Sequence, residues 1–252
     1  MKRDALIVFV LWLILTVIGE VIAVLWDYQP LAAAKEADLV DDAFFVLVVL
    51  AIPVVAFVVA AVVYSMLRFR QRGEGLEDGP PVRSNGKVLV AWFSVTTALT
   101  ILVIIFPGTT GLLELRDHSR GWAASEGMVV QVEGSRWVWK ITYPEQGVTS
   151  YGELVLPVGE QVRFEVSSTD VIHAFWVPAF RMKVDAVPGR VTTIYATPDK
   201  TGAFENESGY RLQCAEMCGL GHALMTVPVR VVEPSQFDAW AAQQAPTASL
   251  NP

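Results

Sequence analysis

Apolar residues are spaced in two different ways along this chain. In the first 115 residues they form three long runs. Ala5 to Trp26 is broken only by Glu20, while Ala43 to Leu67 and Val88 to Phe106 carry no charge. Each run reaches the ~20 residues that a helix needs to cross ~30 Å of hydrocarbon. Transmembrane spans are therefore predicted near 5–26, 43–67 and 88–106. Pro53 fits inside the second span where neighbouring helices satisfy the carbonyl it frees.

From Glu126 to Glu233 the runs become short, β-branched or alternating, and Gly, Pro and Asp divide them. Strands are predicted at Val129–Glu133, Arg136–Tyr143, Glu153–Leu156, Gln161–Ser167, Val191–Ala196 and Thr226–Val232. Turns fall at Pro157-Val158-Gly159, Pro188-Gly189 and Pro198-Asp199. Many short strands at close spacing argue for a sandwich or barrel, and about 110 residues suffice for one core. The expected organisation is a membrane region over 1–115, a β-domain over 116–233 and a tail over 234–252. Phe237 and Trp240 fit a short helix in that tail, and its Gln-, Ala- and Pro-rich end reads as mobile.

Composition agrees with this division. The chain is 53% hydrophobic with a mean hydropathy of +0.42, too apolar for an ordinary soluble domain. Loop charge gives the orientation. Arg68, Arg70, Arg72, Arg83 and Lys87 lie between the second and third runs, whereas the first loop holds Asp27, Glu36, Asp38, Asp41 and Asp42 against Lys35. The basic loop should face the cytoplasm, which puts the β-domain outside. Lys2, Arg3, the first run and Ala32-Ala33-Ala34 also fit a signal peptide with its cleavage site. The 22-residue length of that run and Glu20 inside it favour retention as a span.

The chemistry concentrates in residues 214–225, Cys-Ala-Glu-Met-Cys-Gly-Leu-Gly-His-Ala-Leu-Met, which hold the only two cysteines. Two thiols, an imidazole and a thioether within twelve residues select copper, zinc or iron–sulfur over hard cations. Read from spacing alone, three states compete: a disulfide between Cys214 and Cys218, a zinc site lacking a paired second histidine, and copper. Cupredoxin copper sites use two His, a Cys and a weak Met, and His173, 41 positions before Cys214, supplies the upstream imidazole. His118 lies among Arg116, Asp117, Ser119 and Arg120 and reads as a solvated side chain.

The string Cys-x-Glu-x-Cys-x₃-His-x₂-Met resembles the dinuclear copper (CuA) motif of subunit II of haem–copper cytochrome c oxidases. Asp170-Val171-Ile172-His173 with Val177-Pro178 resembles that family's first-ligand loop. Lys183 to Arg190 resembles the segment after it, and Gly134 to Trp139 with Tyr143 resembles its aromatic stretch. The resemblance implies a membrane-anchored all-β protein, two or three transmembrane helices followed by a cupredoxin-like Greek-key β-barrel. It implies His173, Cys214, Cys218, His222 and Met225 as copper ligands, with the carbonyl of Glu216 as the sixth. Its Glu216 carboxylate would reach a magnesium or manganese ion at the border with subunit I. Trp137, by pattern alone a core aromatic, would take up electrons from cytochrome c. Trp139, Asp185 and Arg190 would surround the ligands.

The implied partners are oxidase subunit I, subunit III, a cytochrome c donor and the membrane. No nucleic acid is expected. The implied place is the plasma (inner) membrane of a bacterium, copper domain on the periplasmic side. Two positions depart from the family pattern: Leu89 stands where many members have a glutamate feeding a proton channel, and Val138 where a tyrosine is common. Residues 116–252 hold 15 acidic and 11 basic residues, which does not distinguish a docking face from a solvated one. A copper-free quinol oxidase subunit II is disfavoured because every ligand position is filled. A membrane-tethered copper chaperone would carry its Cys pair early, before a βαβ pattern. Nitrous-oxide reductase would need a further large domain.

Overall fold

A computed structural model describes residues 2–26, 29–70, 85–125 and 127–244. The chain forms two units, one helical and one dominated by strands. The helical unit holds α1 (Lys2–Leu25), most of α2 (Lys35–Arg68) and α3 (Gly86–Val103). Segments Arg3–Leu25, Lys35–Arg68 and Gly86–Asp117 are each long and apolar enough to cross a membrane. Helices α1 and α2 pack closely at Gly19, where an added Cβ would lie 2.7 Å from Cγ2 of Ile52. The Trp12 indole N–H donates to the carbonyl of Pro53 at 2.8 Å. Asn85 caps α3, its side chain accepting from the N–H of Lys87 at 3.1 Å. The third span loses regular geometry at Phe106, just before Pro107, because proline cannot donate to the helix ladder. Helix α4 (Thr110–Ser125) follows and runs across the expected boundary at 115/116 between the membrane region and the β-domain.

In the β-unit the described strands are β1 (Met128–Ser135), β2 (Val138–Tyr143), β3 (Val148–Ser150), β4 (Leu154–Pro157), β5 (Val162–Ser168), β6 (His173–Val177), β7 (Met182–Ala186), β8 (Thr192–Ala196), β9 (Gly202–Ala203), β10 (Arg211–Cys214) and β11 (Thr226–Val232). One sheet runs β3-β2-β1-β5-β8 and the other β4-β11-β10-β6-β7, with β9 on β11. Ladders β1–β5 and β4–β11 are parallel; the rest are antiparallel. Period-two side chains send Val130, Val132, Phe164 and Val166 inward from the first sheet. Phe175, Leu212, Val229 and Val231 fill the core from the second. Each such side chain contributes roughly 1.5–3 kcal/mol by leaving water. The sandwich, or half-barrel, expected from the strand pattern is what forms.

The unpredicted strands β6, β7 and β10 carry or flank the candidate ligands. Strand β6 reads His-Ala-Phe-Trp-Val and is buried on both faces over most of its length, so it lacks the alternation that reveals a half-buried strand. Strand β10, Arg-Leu-Gln-Cys, is too short for a pattern to register.

Residues 29–41 belong to the β-unit although they lie between two membrane runs. Ala33, Ala34 and Ala37 are fully buried in its core. The N–H of Ala33 donates to the carbonyl of Ala179 at 2.8 Å, and that of Lys35 to the carbonyl of Thr197 at 3.0 Å. The buried Glu36 carboxylate accepts from the N–H and hydroxyl of Thr197 at 2.8 and 2.9 Å. The Arg181 guanidinium grips Asp41 with two bonds of 2.7 and 3.0 Å and also donates to the carbonyls of Pro178, Leu31 and Pro30. The alanines that read as a cleavage signal thus also serve as core residues. A small side chain suits both roles, which is why the pattern could not separate them.

Helix α5 (Pro234–Gln244) covers the far end, where Phe237 and Trp240 pack on the Tyr143 ring at 6.0 and 5.1 Å between centroids. The tail expected to be mobile beyond it lies outside the described residues, as do Asp27, Arg72 and Arg83 of the two membrane loops. Burial pushes the Tyr143 hydroxyl well above its usual range. That hydroxyl donates to the Val155 carbonyl at 3.1 Å and accepts from the Val155 N–H at 2.9 Å. Tyr143→Phe should cost about 1–3 kcal/mol because it strands two buried backbone groups; a chemical-denaturation midpoint equal to that of the unaltered chain would refute this.

Candidate metal centre

The sequence places the donors at the ends of two adjacent strands of the second sheet and on the loop that follows. Strand β6 begins at His173, and β10, its antiparallel neighbour, ends at Cys214. The loop that leaves Cys214 returns at Met225, and the Cys214 N–H donates to the Met225 carbonyl at 3.0 Å to close its base. Within the loop, Gly219 has φ +115°, a conformation open to glycine. A short 3₁₀ turn at His222–Leu224 then aims His222 back toward the sulfurs.

The resulting geometry is a paired one. The Sγ atoms of Cys214 and Cys218 stand 3.7 Å apart and are both free, well beyond the ~2.05 Å of a disulfide. Nδ1 of His173 lies 3.8 Å from Cys214 Sγ, and Nδ1 of His222 lies 3.7 Å from Cys218 Sγ. A weak donor attends each sulfur: the Glu216 carbonyl at 3.2 Å from Cys214 and the Met225 thioether at 3.9 Å from Cys218. The ligand atoms of His173, Cys214 and Cys218 all lie within 4.8 Å of one another. His173 is fully buried and Met225 nearly so, while Cys214 and Cys218 are buried. Burial, followed by the neighbouring Cys214 sulfur, pushes the Cys218 thiol up to about 11. A thiol held protonated in this way must lose its proton to bind metal, so loading is coupled to pH. Soft sulfur flanked by imidazole, away from water, is a donor set for copper rather than for calcium or magnesium.

Asp170 organises this site. It received no role in the sequence reading, although it lies three residues before His173. Its carboxylate accepts from Nε2 of His173 at 2.8 Å, from the Val171 N–H at 2.6 Å, and from the N–H and guanidinium of Arg136 at 2.8 and 3.2 Å. With the proton held on Nε2, the lone pair of Nδ1 is left facing Cys214. Burial alone would raise the Asp170 carboxyl, but these hydrogen bonds hold it well below the usual carboxylate range. Gly134 was also missed: a Cβ there would sit 3.1 Å from both the His173 and Trp139 rings.

The remaining expected residues divide. Trp139 is fully buried, its ring centroid 6.0 Å from that of His173, and its N–H donates to the Met225 carbonyl at 3.4 Å. Trp137 is 41% exposed, and its N–H donates to the Cys218 carbonyl at 3.3 Å. The Glu216, Asp185 and Arg190 side chains are exposed, and among the described residues no hydrogen bond joins Asp185 or Arg190 to the donor cluster.

Two β-sheets closed over a Cys₂His₂Met donor set, buried except for the half-buried His222, on a chain with membrane-length helices, define a membrane-anchored cupredoxin-like subunit. Comparison with known proteins narrows the class. The model of the cytochrome c oxidase subunit II periplasmic domain matches residues 148–232. Cytochrome c oxidase subunit 2 of Synechocystis sp. is 30% identical over 277 aligned positions, covering 91% of this chain and 81% of that one. The subunit 2 of Thermostichus vulcanus is 31% identical, covering 87% and 79%. The crystal structure of the periplasmic domain of subunit II of cytochrome oxidase from Bradyrhizobium japonicum is 32% identical over 46% of this chain and 92% of that one, with a TM-score of 0.43. The chain belongs to the cytochrome c oxidase subunit II family.

The depressed Asp170 carboxyl gives a signed pH dependence. A lowered folded-state pKa contributes stability that is full above the unfolded value of about 3.9 and is lost as pH falls through the folded one. Asp170→Asn should therefore cost about 1–3 kcal/mol at pH 7, and the difference from the unaltered chain should shrink steadily below about pH 4. Denaturation midpoints of the detergent-solubilised chain at pH 7 and pH 3 measure it; a difference independent of pH refutes it.

Proposed function

We propose that this chain binds two copper ions as a CuA centre, takes electrons from a cytochrome c and hands them to the haem-bearing subunit I. There oxygen is reduced to water with proton translocation. The observation that carries this reading is the matched pair of sulfurs, 3.7 Å apart, each with one imidazole nitrogen at 3.7–3.8 Å and one weak donor. When bound, such a centre supplies one-electron redox chemistry with the unpaired electron shared across both metals.

The protein's part is to hold those donors still. Asp170 fixes the ring and tautomer of His173, and the closed base of the loop keeps Met225 beside Cys218. All the donor positions are filled by protein atoms, so the chain offers no open place for oxygen and performs no oxygen chemistry. Trp137 is the group for electron uptake, because one edge faces solvent while its N–H touches the Cys218 carbonyl. The exposed Glu216 carboxylate is free to reach a magnesium or manganese ion at the border with subunit I, and groups near Asp185, Arg190 and Glu216 carry the exit route of the electron.

Residues 1–115 are assigned to the membrane region, apart from the segment 29–41 that packs into the β-unit, 116–233 to the copper domain and 234–252 to the tail. Subunit III completes the expected assembly. The setting is a bacterial plasma membrane with the copper domain on the periplasmic side, as the basic second loop and the bacterial relatives support.

Copper analysis of the purified chain should find two ions per chain, with visible absorption of a mixed-valence centre. Cys214→Ser should abolish that absorption and release most of the copper. Copper content unchanged in Cys214→Ser would overturn the assignment.

A further inference from the structure

The two glycines of the ligand loop, on either side of Leu220, have different reasons to be glycine. Gly219 needs it for its backbone, at φ +115°. Gly221 does not: its φ of −91° and ψ of 12° are open to any L residue. What Gly221 lacks is space. A Cβ added there would lie 2.5 Å from Cδ2, 2.7 Å from Cγ and 2.8 Å from Cε3 of Trp137. These are the atoms at the root of the indole, so no terminal rotation relieves the overlap and the whole ring has to move. At Gly219 the same construction leaves 3.5 Å to Cζ2 of Trp137, ordinary contact. The indole thus lies across both glycines, and its N–H reaches the Cys218 carbonyl at 3.3 Å.

We propose that Gly221 is a positioning residue: by carrying no side chain it seats Trp137 flat on the ligand loop, and this seat sets the rate at which electrons arrive from a protein donor. The inference rests on the electron-uptake reading given above. In the step concerned, the donor's haem iron is oxidised by one electron, the centre held by Cys214 and Cys218 is reduced by one, and no proton or covalent bond changes hands. A methyl group at 221 lifts the ring away, breaks its hydrogen bond to Cys218 and inserts a gap between the exposed aromatic and the ligand loop. The three atoms nearest that methyl group all belong to the Trp137 ring, so the displacement falls first on the indole.

The test uses the full chain in its assembled oxidase, with a reduced cytochrome c as donor. In Gly221→Ala, the rate of donor oxidation at saturating donor should fall ~10-fold or more, as displacement of a reacting group by about 1 Å can. Copper content, visible absorption and donor KM should not change, nor should the rate of reduction by a small inorganic reductant that does not need Trp137. In a Trp137→Ala background, adding Gly221→Ala should cause no further loss, because the glycine acts only through that ring. An unchanged donor rate in Gly221→Ala overturns the proposal, as does loss of copper, which would make the glycine a requirement of the loop itself. If Trp137→Ala alone leaves the donor rate intact, the uptake reading beneath the proposal fails as well. If Trp137→Ala is slow and Gly221→Ala normal, only the role of Gly221 falls.

Discussion

A single carboxylate ties the parts of this site together. Asp170 accepts four hydrogen bonds, from the imidazole of a candidate ligand, from its own turn, and twice from the residue beside the exposed Trp137. The imidazole comes from strand β6 and the arginine from the hairpin between β1 and β2, which belong to different sheets. One side chain therefore fixes the tautomer of His173 and also pins the hairpin bearing Trp137 against the loop of donors. A charge this well satisfied is rigid, and rigidity is what the proposed relay needs: the less the donors move between oxidation states, the smaller the barrier to passing an electron would be. Ser168 reinforces the same turn, its hydroxyl bonding to the Val171 carbonyl at 2.5 Å.

The sulfur pair shows the opposite strategy, tension held in reserve. Burial, and then the Cys214 sulfur beside it, pushes the Cys218 thiol up. Without metal this is an uncomfortable arrangement for ionised sulfur; bound metal cations would make it favourable. The β-sandwich supplies the surrounding dryness. Trp139, Phe175 and Phe164 stack edge to edge beneath the site, so the donors rest on a close-packed floor.

The donor residues were legible because sulfur is rare and its spacing specific: Cys214, Cys218, His222 and Met225 fall on one loop, and only His173 needed a distant partner. The three apolar runs were equally plain, since nothing but a membrane tolerates such length without charge. What stayed hidden depends on relations across the fold. Asp170 looks like any turn residue until β6 brings His173 onto it. Gly221 looks like loop flexibility until the hairpin lays Trp137 across it. Strands β6 and β10 escaped because burial on both faces, or four residues of length, leaves no period to read. The Gln29–Asp41 segment escaped because its alanines are compatible with a cleavage site, a linker and a core alike.

That segment has a bearing on assembly. Glu36 and its partner Thr197 are 161 residues apart in the chain, and Arg181 and Asp41 are separated by 140. During synthesis the strap emerges long before the sheets that will receive it, and α2 and α3 are made in between. The β-unit therefore cannot complete its core until its last-made strands meet a piece laid down near the beginning of the chain. Until that capture, the places of Ala33, Ala34 and Ala37 in the core of the β-unit stay empty, so the sheets alone are an incomplete fold.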